Sequence, residues 1–146
     1  MTTTAFPTPT PITHWHHVVQ SRDEAALAAL LADDVVFESP VVHTPQRGKA
    51  VTLVYLRAAL QVLNNGSFTY PRQWYGEHSA VLEFQSTVDG VVINGVDMVE
   101  WNAEGKINQF KVMVRPLKAL NKLHERMFAK LQELAPEWFA GAKVGG

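Results

Sequence analysis

No cysteine occurs among the 146 residues, which excludes disulfides, thiol nucleophiles and cysteine metal sites. An excess of one charge sign is also lacking. Thirteen Lys and Arg stand against 14 Asp and Glu, a formal net charge of -1, with both signs mixed along the chain. That balance offers no electrostatic surface for nucleic acid or anionic lipid. No apolar run approaches the roughly 20 residues of a membrane-spanning helix. The opening MTTTAFPTPTP has neither the basic start nor the apolar centre of a signal peptide, so a cytoplasmic location is expected. The glycines fall at turns rather than in a phosphate-binding loop. No Gly-x-Ser-x-Gly elbow supports a nucleophilic serine, and there is no internal repeat.

What is present is a chain of one-domain length with 47% hydrophobic residues, enough to fill a core without covalent staples. Residues 1–11, rich in Thr and Pro, read as a flexible tail, residues 12–135 as a single domain, and residues 136–146 as a frayed C-terminal end. Ile12, Trp15 and Val19 are spaced for a helix over Ile12–Gln20. Ser21 or Asp23 caps a second helix running to Ala32. Val35–Glu38 is a short strand stopped by Pro40, and Gly48–Leu63 is a long, largely buried helix. The period then changes to two. Ser67–Tyr75, Ser79–Val88, Val91–Asn102 and Ile107–Val114 read as four successive strands, with Asp89-Gly90 a hairpin signal. Asn94-Gly95 inside a strand predicts a bulge. Pro116 opens a last helix with Leu117, Leu120, Met127, Phe128, Leu131 and Leu134 at helical spacing. The order predicts an α+β fold, a bent, mostly antiparallel sheet wrapped around N-terminal helices with a C-terminal helix. The concave space between sheet and helices would suit a small ligand.

One side chain does not fit a purely structural pattern. Asp97 sits mid-strand among Val96, Met98, Val99 and Trp101, where a charge is costly to bury without a partner. It is either exposed, or an acid/base whose pKa is raised by desolvation, or a buried carboxylate held by a Tyr, a Trp or a backbone donor. His43, in the loop after the first strand, is a candidate to exchange a proton with it; a plain surface histidine is the alternative. Trp15, Tyr55, Phe68, Tyr70, Trp74 and Trp101 supply rings for a flat apolar cavity or for ordinary core. His14, His16 and His17 flank Trp15, but two imidazoles on one helical side do not complete a metal site; no metal and no cofactor are expected. Glu83 is expected on the outer sheet face, paired with Lys111 or Arg115 across strands.

The pieces LLADDVVFESPVV, RGKAVTLVYL and VDMVEWNAEGKI resemble the SnoaL-like branch of the nuclear transport factor 2-like superfamily over roughly Ile12–Leu134. The resemblance implies a cone-shaped fold with a deep pocket and a homodimer, here through the outer sheet face. It also implies functions ranging from isomerases and polyketide cyclases to non-catalytic modules. The ketosteroid isomerases of that superfamily use an Asp base, a Tyr and a protonated Asp. By resemblance the protonated Asp falls on Asp97, the base on Ser39 and the tyrosine near Trp15, so one group of three is kept. Glu38 would replace the base only if it faced inward, and strand alternation puts it opposite Ser39. Resemblance to the cyclases implies Asp97 as acid/base with an imidazole from His43 or His78. The expected pocket lining is Trp15, Ser39, Tyr55, Phe68 and Tyr70, with Val99, Trp101 and Val112. The expected ligand is small and hydrophobic or aromatic. Three readings stand open: a metal-independent isomerase or cyclase acting on a hydrophobic carbonyl compound, a non-catalytic ligand-binding module, and a dimeric interaction domain.

Overall fold

The computed structural model describes residues 7–140. The chain opens with α1 (Thr10–Ser21) and α2 (Glu24–Leu30), whose N-cap Asp23 accepts a hydrogen bond from the Ala26 backbone N–H. Strand β1 (Leu31–Glu38) and the two-residue β2 (Gln46–Arg47) lead into α3 (Lys49–Leu63). Four strands follow, β3 (Thr69–Tyr75), β4 (Ser79–Val88), β5 (Val91–Trp101) and β6 (Ile107–Arg115). Helix α4 (Leu117–Leu134) and a 3-10 turn (Pro136–Trp138) end the described chain.

The six strands form one curved, unclosed sheet in the order β2-β1-β6-β5-β4-β3. All neighbours are antiparallel except β1 and β6, which run parallel. The fold is therefore α+β, with the helices on the inner face of the sheet. Strand β4 shows why the faces differ: Ala80, Leu82, Phe84, Ser86 and Val88 are buried while their neighbours are more exposed, the period-two alternation of a half-covered sheet. The hairpin between β4 and β5 turns at Asp89 and Gly90, both at positive φ, the backbone required by a two-residue type I′ turn. Two core clusters result. One joins α1 and α2 to β1, β6 and the far ends of β4 and β5; the other joins Phe84, Val88 and Ile93 to Ala119 and Leu123 of α4.

Several expectations are corrected. The second helix ends at Leu30, because Leu31 already pairs with Ile107 in the sheet; strand pairing overrides helix propensity there. Thr10 and Pro11 belong to α1, and Pro11 is buried. The Asn94-Gly95 pair forms no bulge: its register with β4 and β6 is continuous. Gly95 instead makes room for a neighbour, since a Cβ there would lie 2.5 Å from Phe84 Cζ and 2.4 Å from the Met113 carbonyl oxygen. The irregularities fall between Glu100 and Trp101, between Thr69 and Arg72, and between Leu31 and Val36. Glu83 pairs with Arg72 (2.8 Å) and Asn94 (3.0 Å), not with Lys111 or Arg115. Lys111 lies 3.7 Å from Glu38 instead. Trp138 packs on Tyr55 and Phe139 on Phe128, at 5.8 and 5.3 Å between ring centroids, so residues 136–139 are docked rather than frayed. Of the expected tail and end, residues 1–6 and 141–146 lie outside the described residues. Among the described residues no helix is long and apolar enough to cross a membrane.

Candidate active site

Asp97 lies at the centre of the sheet, on β5, opposite Leu82 of β4 and Val112 of β6. It faces the helices and is 6% exposed. The Tyr70 hydroxyl donates to its Oδ2 at 2.7 Å, and the Trp15 indole Nε1–H donates to the Tyr70 oxygen at 2.8 Å. No partner is recorded for Oδ1 among the described residues.

Local structure brings the three together. Trp15 sits on the buried stripe of α1 with Ile12, Val18 and Val19, its ring edge-on to Phe110 at 5.0 Å. Tyr70 sits where Tyr70 and Pro71 together oppose the single residue Phe84, between the Thr69–Gln85 and Arg72–Glu83 pairs. Two residues against one is a β-bulge, which re-aims a side chain. Pro71 is tolerated because β3 is an edge strand.

Burial raises the Asp97 carboxyl from 3.8 to about 7, with the Tyr70 hydrogen bond pulling partly the other way. The Tyr70 hydroxyl is held well above its usual value by burial and by Asp97, so it remains the donor. Burial also raises Tyr55. A carboxyl that is half protonated near neutral pH is suited to general acid/base work.

Asp97 opens on a cavity of about 210 Å³ between the two core clusters. Trp15, Ser39, Tyr55, Phe68, Tyr70 and Val112 line it with Asp97. Val99 and Trp101, also expected there, are buried in the core cluster beside α1 and α2 instead. They share the inner face with Asp97, but the helices fill the space over them. His43 is exposed and is not on the cavity wall. His78 is exposed and lies 3.8 Å from Glu77. Glu38 pairs with Lys111, on the sheet face away from the cavity. Ser39 Oγ accepts from the Val41 and Val42 N–H groups at 3.1 and 3.4 Å, which leaves its own hydrogen free to donate. His16 meets Gln73 Oε1 at 2.6 Å, while His14 and His17 are exposed. Among the described residues no group of three or more His, Asp or Glu side chains is placed to hold a metal ion.

The outer wall comes from α4 and the C-terminal turn: His124, Met127, Phe128, Leu131 and Phe139. Reading the sequence missed His124 as a lining residue. The signal was present, because His124 lies three and four residues before Met127 and Phe128, on the same helical side. Which side would face a cavity depended on how α4 folds back.

Residues 12–110 match the SnoaL-like domain family. No curated protein matches. Among solved structures, a steroid delta-isomerase from Pseudomonas aeruginosa is 33% identical, with a TM-score of 0.82 over 94% of this chain and 100% of that one. A protein with a cystatin-like fold from Silicibacter pomeroyi is 30% identical, with a TM-score of 0.79 over 90% and 91%. A nuclear transport factor 2-like protein from Mesorhizobium loti, 20% identical with a TM-score of 0.65 over 76% and 98%, shares the fold.

Proposed function

The chain belongs to the SnoaL-like family of the nuclear transport factor 2-like superfamily, and on that basis we propose that it is an enzyme of isomerase or cyclase type. It moves a proton on a small hydrophobic carbonyl compound. The observation that carries this reading is Asp97, an acid with one oxygen unengaged in an apolar, aromatic-lined cavity. Ionised, Asp97 takes a proton from the carbon beside the carbonyl. The same carboxyl returns it to another carbon of the conjugated system, so the double bond shifts and nothing is gained or lost. Ser39, with its lone pairs engaged by backbone, donates to the carbonyl oxygen as charge develops there. A cavity of about 210 Å³ falls below the roughly 300–1,000 Å³ of drug-sized ligand sites, which favours a substrate of one or two rings.

Likeness to a protein named as a steroid delta-isomerase supports the reaction type. Serine at the position expected for a base argues for a different route from the three-group mechanism. The test takes β,γ-unsaturated cyclic ketones, first ranked by thermal shift, since a ligand that binds only the folded form raises the melting point. Isomerisation is then followed by the ultraviolet absorbance of the conjugated product. Asp97→Asn should lower kcat by about 10²–10⁴ with binding retained; equal turnover in the variant would overturn the assignment. Binding without turnover in the parent protein selects the second reading, a ligand carrier, which the lack of a second acidic group on the cavity wall among the described residues favours.

A second copy of the chain is the proposed partner, on the outer sheet face. Trp74, Val92, Met98 and Met113 project there, four of the eight large apolar side chains exposed among the described residues. Sedimentation should give a dimer, and Met98→Lys with Met113→Lys should give a monomer with unchanged helical content. A monomer at micromolar concentration in the parent protein contradicts this.

A further inference from the structure

The three-residue chain Trp15–Tyr70–Asp97 has a direction, and its chemistry fixes that direction from one end. An indole N–H donates and cannot accept. Trp15 therefore occupies a lone pair of the Tyr70 oxygen. The phenol has one hydrogen, and Asp97 Oδ2 is the acceptor recorded for it. Were Asp97 protonated on Oδ2 with that hydrogen turned toward Tyr70, Tyr70 would accept from both sides, and its own hydrogen would lose its acceptor in a buried place, a costly arrangement. With the hydrogen turned away, a neutral hydroxyl oxygen is a poorer acceptor for Tyr70 than the unprotonated oxygen of the carboxyl.

We propose that Trp15 is a positioning residue that sets the polarity of this chain, so that Asp97, a residue of the cavity wall, carries its proton preferentially on Oδ1, the oxygen that Tyr70 does not engage. The proton is thus held on the side of the carboxyl away from Tyr70. Donation from Trp15 also polarises the Tyr70 hydroxyl and strengthens its bond to the ionised carboxylate, because hydrogen bonds in series reinforce one another. Trp15 acts on Asp97 at second hand, through a residue 55 positions away in sequence. The polarity of the chain needs no substrate, so an inactive protein with the three residues intact keeps it.

Other titratable groups near the chain are few. His16 of α1 lies against the Tyr70 ring at 5.8 Å and bonds to Gln73. Tyr55 of α3 and His124 of α4 are on the cavity wall. The sheet neighbours of Asp97 on β4 and β6 are Leu82 and Val112. Among the described residues only Tyr70 is hydrogen-bonded to the Asp97 carboxyl.

The test titrates the Asp97 carboxyl carbon directly by NMR in 13C-aspartate-labelled full-length protein. Tyr70→Phe should raise its pKa by about one unit and Trp15→Phe by roughly 0.3–0.5 unit. In the Tyr70→Phe background, Trp15→Phe should then add nothing. A packing role for Trp15, whose ring rests on Phe110, would survive loss of the Tyr70 hydroxyl. An unchanged pKa in Trp15→Phe, or an equal shift in both backgrounds, overturns the proposal. If Trp15→Phe does not fold, the Trp15 Nε1–H resonance of the parent protein serves. It should shift with pH in step with Asp97 and lose that response in Tyr70→Phe; a resonance flat in the parent protein across the Asp97 titration overturns the proposal.

Discussion

Asp97→Asn is expected to make the protein more stable at pH 8, by about 3 kcal/mol or near 10 °C in Tm. The sign follows from linkage. Folding lifts the Asp97 pKa from 3.8 to about 7, chiefly by desolvation. Between those values the folded protein holds a proton that the unfolded chain has released. Parent stability therefore falls as pH rises from about 4 to about 7, then levels off with the burial cost fully present. Asparagine carries no charge at any of these pH values, and its side-chain oxygen can still accept from Tyr70. The gain should thus be large at pH 8 and close to nothing near pH 4. Thermal unfolding of both proteins across that range is the measurement. A gain independent of pH, or a loss at pH 8, would mean that Asp97 is not the desolvated group described here. The expected gain in stability accompanies the expected loss of turnover, as for a group kept at a cost to the fold.

Gly95→Ala should do the reverse and cost about 3 kcal/mol, the upper part of the range for overpacking. The added methyl would meet the Phe84 ring at 2.5 Å and the Met113 carbonyl oxygen at 2.4 Å. The ring has some freedom to turn, but the carbonyl belongs to the β5–β6 ladder and does not. Phe84 also lines the cavity, so ligand affinity should fall along with stability. In urea the midpoint should drop with an unchanged slope. Pairing Gly95→Ala with Phe84→Ala should leave most of the penalty, because the carbonyl contact persists. A cost under about 1 kcal/mol would fit a bulge at this position rather than a close approach within a regular strand.

The glycine also illustrates how far local pattern reaches. Asn94-Gly95 inside a strand reads as a bulge from sequence, since turn-forming residues interrupt an alternation. The same glycine is required for another reason, the ring of Phe84 lying across it from the neighbouring strand. The true bulge nearest the site, at Tyr70-Pro71, carried a local sign in its proline. Histidine placement was less legible still. His43 and His124 each stand near apolar residues in the sequence, yet only His124 reaches the cavity wall.

The amino-acid order by itself determined the succession of the longer helices and strands and the change of period after Gly66, since alternation along a strand is local, and it left open whether Asp97 faces inward or is exposed. It also excluded thiol chemistry outright. Tertiary structure alone decided what Asp97 touches and which part of the inner face stays hollow. Trp15, Tyr70 and Asp97 meet across separations of 55 and 27 residues, and Val99 and Trp101 lose their place on the wall to helices packed above them. Both outcomes depend on strand register and on where helices come to rest, and those are set by the packing of the whole chain rather than by any segment of it.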